Sequence, residues 1–84
     1  MTIEQLLCAI TEPGEMKQVL KTFLTTRELR ELNNRLKIIE MLAQGVSQRQ
    51  IASKLGVGIA TVTRGAQACH HHHKILGKYV VPNP

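Results

Sequence analysis

The chain has almost no aromatic side chains. Phe23 and Tyr79 stand alone, and there is no tryptophan among the 84 residues. A core without aromatics rests on aliphatic side chains, and a chain this short buries only about 60% of the surface it exposes when unfolded. One domain fits, spanning residues 1–84, and a second copy would supply the missing burial. Cysteine is equally scarce. Cys8 and Cys69 lie far apart and make no disulfide framework, which fits a reducing cytoplasm. No apolar run approaches the roughly 18 to 20 residues of a membrane span. The N-terminus lacks the basic stretch and apolar block of a secretory signal. A cytoplasmic location without a membrane partner is therefore expected.

Acids are missing from one half of the chain. Residues 47–84 hold Arg49, Lys54, Arg64, Lys74 and Lys78 and no acid. Residues 1–46 hold Lys17, Lys21, Arg27, Arg30, Arg35 and Lys37 against all six glutamates. The net charge of +5 thus sits on the C-terminal half. One-sided positive charge suits a polyanion, most simply nucleic acid, although a solvated basic surface gives the same count. Catalytic patterns are missing too: the basic half has no nucleophile–base pairing, glycine-rich phosphate loop or paired carboxylates, so no enzyme is expected.

What is present is helical spacing. Ile3, Leu6, Leu7 and Ile10 mark one face of a first helix, with Cys8 beside it as a core candidate. Thr11-Glu12-Pro13-Gly14 interrupts it. Met16, Val19, Leu20, Phe23 and Leu24 mark a second helix. Thr25 and Glu28 form a capping box for a third, whose stripe is Leu29, Leu32, Leu36, Ile39, Leu42 and Ala43 and whose end is Gly45. Ser47-Gln48-Arg49-Gln50 reads as a second capping box. A short helix carries Ile51 and Leu55 to Gly56, and another runs from Gly58 to about Ala66. The last dozen residues read as irregular. One more helix could pass through the histidines to Leu76, stopped by Gly77 and the prolines.

Residues 48–65, QRQIASKLGVGIATVTRG, carry a helix-turn-helix pattern, with the whole motif at about 47–66 and a partly helical tail over 67–84. Ala52 is small where two helices cross. Gly56 stands where the turn needs a positive φ. Ile51, Leu55, Val57 and Val62 fill the wedge. The second helix is then free to present Gly58, Ile59, Ala60 and Thr63, short enough to let the backbone approach base edges. Arg49 is a candidate for a bidentate contact to guanine and Lys54 for a phosphate contact. The motif also allows a helical hairpin without a DNA role. Cys69 and His70–His73 invite a metal reading, but consecutive residues on a helix point in different directions. No metal is expected, and the run reads as a polar face that gains charge in acid.

The stretch LTTRELRELNNRLKIIEMLAQGVSQRQIASKLGVGIATVTRG resembles the tryptophan repressor family, with GIATVTRG and SQR its most specific pieces. The resemblance implies an all-α, short helical bundle that forms an intertwined homodimer. It implies a sequence-specific transcriptional repressor on a palindromic double-stranded DNA operator, with L-tryptophan as co-repressor. By position, the indole lies between Arg35 and Arg64, and Arg64 holds the carboxylate. Thr22 and Leu24 carbonyls and the Thr25 hydroxyl face the ammonium from the partner subunit. Ile39, Thr61 and Gly65 line the slot. A guanidinium can both stack on an indole and pair with a carboxylate, although Arg64 is also placed for a phosphate and Arg35 for plain solvent.

Three departures stand beside the resemblance. Where the family places a serine near the ligand ammonium, this chain has Ala68. The turn Gly45-Val46-Ser47 is one residue shorter than in the best-known repressors. The N-terminal arm is absent and the first helix short, so a smaller dimer interface is expected. Two alternatives follow: a related DNA-binding regulator independent of tryptophan, and a helix-turn-helix module that docks on another protein.

Overall fold

The computed structural model describes residues 1–80, and every regular element in them is an α-helix. The order is α1 (Ile3–Ala9), α2 (Pro13–Phe23), α3 (Thr26–Ala43), α4 (Gln48–Leu55), α5 (Ile59–His71) and α6 (His73–Tyr79). The all-α expectation is met. The Pro82-Asn83-Pro84 stop lies outside the described residues. The chain divides into two compact units, Met1–Leu32 and Asn33–Pro84.

In the first unit the helix starts are built by side chains. Thr2 and Gln5 make a reciprocal capping box at α1, a start the apolar spacing did not signal. Pro13 opens α2 at a position where its missing N–H costs nothing. Glu12 accepts the Gly14 and Glu15 N–H groups at 2.9 and 2.7 Å. Thr25 and Glu28 form the expected reciprocal box at the start of α3, at 2.9 and 3.1 Å. Neither α1 nor α2 buries a residue. Cys8, expected in a core, is exposed because it points away from Leu6 and Leu7, which are half-buried.

In the second unit three residues are buried: Ile38, Ile51 and Val62, one each from α3, α4 and α5. Met41, Leu42, Val46, Ala52, Leu55 and Val57 pack around them. This corrects the expected α3 stripe. The helix turns Ile38 into the cluster, whereas Leu32 and Leu36 are 43% and 45% exposed. Of the expected stripe, Leu42 packs against the cluster, and Leu32 and Leu36 lie on another face of the helix. Gly45, at φ +83°, ends α3 with Gly45 N–H donating to Leu42 and Val46 N–H to Met41, the paired bonds of a Schellman cap. Beyond the motif the chain is more regular than expected. Helix α5 passes Ala66 and runs to His71, and α6 follows after His72. Gly77 lies inside α6 rather than ending it, because its φ is negative and no left-handed turn follows it.

Gly65 is the tightest point. A Cβ there would stand 2.8 Å from Ile38 Cγ2, so α5 can sit this close to α3 only without a side chain. Gly65→Ala is expected to cost about 1–3 kcal/mol through overpacking. Gly77→Ala, with no neighbour within 4 Å of the new Cβ, should instead stabilise by about 0.5–1 kcal/mol. Urea denaturation of both variants checks this; equal effects would show that the Gly65 approach is not a packing constraint.

The caps give a pH dependence. Backbone N–H groups of Gly14 and Glu15 hold the Glu12 carboxyl below its ordinary 4.5. The Thr25 N–H, then the Thr25 side chain, does the same for Glu28. A carboxyl lowered in the folded state stabilises fully above its unfolded value and loses that stabilisation as pH falls through the folded one. The thermal midpoint should therefore drop on acidification below 4.5, and the pair Glu12→Gln, Glu28→Gln should flatten the drop. An equally steep profile in the double variant would exclude the caps as its cause.

Candidate nucleic-acid interface

Helix α4 starts at Ser47, whose hydroxyl accepts the Gln50 N–H at 3.2 Å. Only this half of the expected second capping box forms. The helix ends at Gly56 in the left-handed region (φ +66°), with the Gly56 and Val57 N–H groups both donating to the Ala52 carbonyl. A Cβ would meet no atom at Gly56; its backbone conformation is what favours glycine. Gly58 is the N-cap of α5 and has no side chain to cap with. The start of α5 thus has no side-chain cap, beside the exposed Ile59 and Ala60.

The wedge is as expected in kind. Ile51 and Val62 are fully buried and Leu55, Val57 and Ala52 half-buried around them. Burying the inner sides of α4 and α5 leaves their outer sides free. The six residues expected to meet DNA, Arg49, Lys54, Gly58, Ile59, Ala60 and Thr63, are all exposed in this one unit. Ile59 is 53% exposed, a large apolar side chain that the chain's own core does not use. Arg64 is exposed, and its Nε donates to the Ala60 carbonyl on its own helix at 3.4 Å.

The residues expected to hold an amino acid are spread over both units. Arg35 and Thr61 are exposed, and Ile39 and Gly65 half-buried, in the second. Gly65 serves first as the contact point with Ile38. Thr22, Leu24 and Thr25 belong to the first unit, at the junction of α2 and α3. The Thr22 hydroxyl donates to the Gln18 carbonyl at 3.0 Å, and the Thr25 hydroxyl is engaged by the Glu28 N–H. Leu24 is the C-cap of α2. The last carbonyls of a helix lack partners within it, which suits them to a cation. Ala68 is exposed on α5.

Sequence reasoning missed Gln48. It is half-buried at the start of α4, and its Oε1 accepts the Thr63 hydroxyl at 2.9 Å. Only the distance between the two positions in the chain hid it, since no local pattern pairs residues fifteen apart. The histidine run stacks on itself, with His70 and His73 rings 6.3 Å apart and His71 edge-on to His72 at 5.3 Å. Among the described residues no three metal-ligating side chains converge. Burial pushes the neighbouring Cys69 thiol up.

The sequence matches the model of the Trp repressor protein family over residues 1–78. The chain belongs to the Trp repressor family. It is 43% identical over 63 residues to a Trp operon repressor homolog of Xylella fastidiosa (strain M23), covering 74% of this chain and 68% of that one. A Trp operon repressor homolog of Aliivibrio fischeri (strain MJ11) is 40% identical over 68 residues, 80% of this chain and 63% of its own. That of Vibrio cholerae is 52% identical over 54 residues, 62% and 52% of the two chains. No solved structure matches. The Trp repressor family is one of repressor-type regulators, not a class of enzymes. No helix among the described residues is long and apolar enough to cross a membrane.

Proposed function

We propose that residues 1–84 act as a single DNA-binding domain, a homodimeric, sequence-specific transcriptional repressor of the Trp repressor type. One observation carries the reading. The Ile38, Ile51 and Val62 cluster packs α4 and α5 together and leaves Ile59, Ala60 and Thr63 of α5 and the cations Arg49 and Lys54 of α4 exposed, in the half of the chain that has no acid after Glu40. In this reading α5 enters the major groove. Arg49 addresses a guanine, Lys54 a phosphate, and the small Gly58 and Ala60 permit close approach. Two basic side chains are a thin footing for one subunit. The exposed Leu32, Leu36, Ile75 and Tyr79 supply apolar surface for a second copy to cover, which would double the charge on the DNA.

DNA binding is tested by affinity against salt. The logarithm of the binding constant should fall steeply and linearly with the logarithm of salt concentration. Arg49→Ala should relax preference at one base pair at a cost of about 1–3 kcal/mol, and Lys54→Ala should weaken all sequences alike and reduce the slope by about one. A chain with no DNA affinity even at low salt would be a protein-docking module instead.

L-tryptophan is the co-repressor in this reading. The donor set fits an amino acid: the Arg64 guanidinium for the carboxylate, and Thr22 and Leu24 carbonyls of the partner subunit, with its Thr25 hydroxyl, for the ammonium. Arg35 and Arg64 stack on the two faces of the indole, and Ile39, Thr61 and Gly65 form the walls. A ligand that binds only the folded state raises the thermal midpoint, so tryptophan should produce a saturable rise. Arg64→Lys should reduce that rise, since an ammonium can pair with the carboxylate but cannot stack. A regulator independent of tryptophan is the second reading, favoured by Ala68 and by the Arg64 side chain resting on its own helix. Intact DNA binding with no heat and no thermal shift at millimolar tryptophan would select it.

A further inference from the structure

Among the described residues one hydrogen bond joins two side chains: Thr63 Oγ1 donates to Gln48 Oε1 at 2.9 Å. It crosses the helix-turn-helix from the first residue of α4 to the exposed face of α5. Both partners have been diverted from their usual local roles. A helical threonine commonly turns its hydroxyl onto the carbonyl one turn back, as Thr22 does on Gln18. Thr63 sends its proton to another helix. The cap of α4 uses Ser47 and the Gln50 N–H, so Gln48 is free for the cross-link.

A hydroxyl has one proton and two lone pairs. With the proton committed to Gln48, Thr63 offers only lone pairs to an approaching molecule. Phosphate oxygens, guanine N7 and O6, and thymine O4 are all acceptors and make no hydrogen bond with that oxygen. Adenine N6 and cytosine N4 are the major-groove donors. Gln48 keeps its Nε2 hydrogens, which suit an acceptor alongside.

We propose that Gln48 and Thr63 form a two-residue reading unit, in which Gln48 orients the Thr63 hydroxyl to accept from a base carrying an exocyclic amino group. The inference rests on the DNA-binding role proposed above. Gln48 is the positioning residue and Thr63 determines specificity. Adenine, with its N7 acceptor beside its N6 donor, engages both side chains, whereas cytosine engages Thr63 alone.

The test uses the full chain and a duplex site selected from a random library. The base under Thr63 is the position at which Thr63→Val loses preference. Replacing an adenine there by purine, or a cytosine by pyrimidin-2-one, removes only the amino group. That change should weaken binding by about threefold to tenfold for the native chain and for Thr63→Ser, less for Gln48→Ala, whose Thr63 hydroxyl is free to turn, and not at all for Thr63→Val. Replacement of adenine by its 7-deaza form separates the two bases, since only a site reading N7 through Gln48 responds. Unchanged thermal midpoints show that these substitutions leave the fold intact. Selection of guanine or thymine under Thr63 would overturn the proposal. So would indifference of the native chain to the amino group, or weakening of all sequences alike with a shallower salt slope, the mark of a phosphate contact. In each of these cases the native chain still binds DNA. If it binds no duplex in a salt-dependent way, the DNA-binding role itself fails and takes this unit with it.

Discussion

Gly65 has no side chain, and Ile38 fills the space where one would begin. That contact sets how closely α5 can lie on α3, where Ile38 joins Ile51 and Val62 in one buried cluster. Each fully buried aliphatic side chain contributes about 1.5–3 kcal/mol. With three such residues, the loss of one removes a large share of the burial energy that fixes the angle of α5. The motif's exposed face is thus a by-product of its buried one. Ala60 and Thr63 are exposed on sides of α5 other than the one Val62 buries, and Ile59, one turn before Val62, is exposed because it stands at the open first residue of the helix.

The same small core explains the apolar surface that is left over. Helix α3 spends one face on Ile38, Met41 and Leu42 and leaves Leu32 and Leu36 open on another. Helices α1 and α2 bury no residue fully. A chain with two aromatic residues cannot cover such faces with its own side chains. The proposed second copy is the economical cover, because it also brings a second set of cations to the same ligand. The polar contacts are arranged by a similar logic. The glutamates are placed at helix starts and surfaces of the first half, so the basic motif keeps its field uncompensated.

Much of this was legible in the residue order, because it depends on neighbours in the chain. Helical periodicity located α1 to α4 and the start of α5 to within a few residues, but not the length of α5 or the bounds of α6. The Thr25–Glu28 box and the glycine stops at Gly45 and Gly56 are local devices with local signatures. Their hydrogen bonds close within a turn or a cap. The exposed set of Arg49, Lys54, Gly58, Ile59, Ala60 and Thr63 was legible for the same reason: a helix-turn-helix has one buried pattern, and these residues are its complement. The error at Gly77 was also local. A glycine stops a helix only where a left-handed turn follows, and none follows here.

What the sequence could not decide is which apolar face of a helix is used. Ile38 and the Leu32–Leu36 stripe lie on one helix and look alike as hydrophobic residues; only the approach of α4 and α5 selects Ile38. The role of Gly65 as a contact point, and the bond from Thr63 to Gln48, likewise depend on helices distant in the chain meeting at a set spacing. Chain-local chemistry determined the scarcity of aromatics, the acid-free half, the caps and the helix-turn-helix. The tertiary structure decided which of those side chains are spent on one another and which remain to meet a partner. The reason is that burial and cross-helix hydrogen bonds are properties of pairs, and a linear sequence specifies pairs only once the helices have been packed.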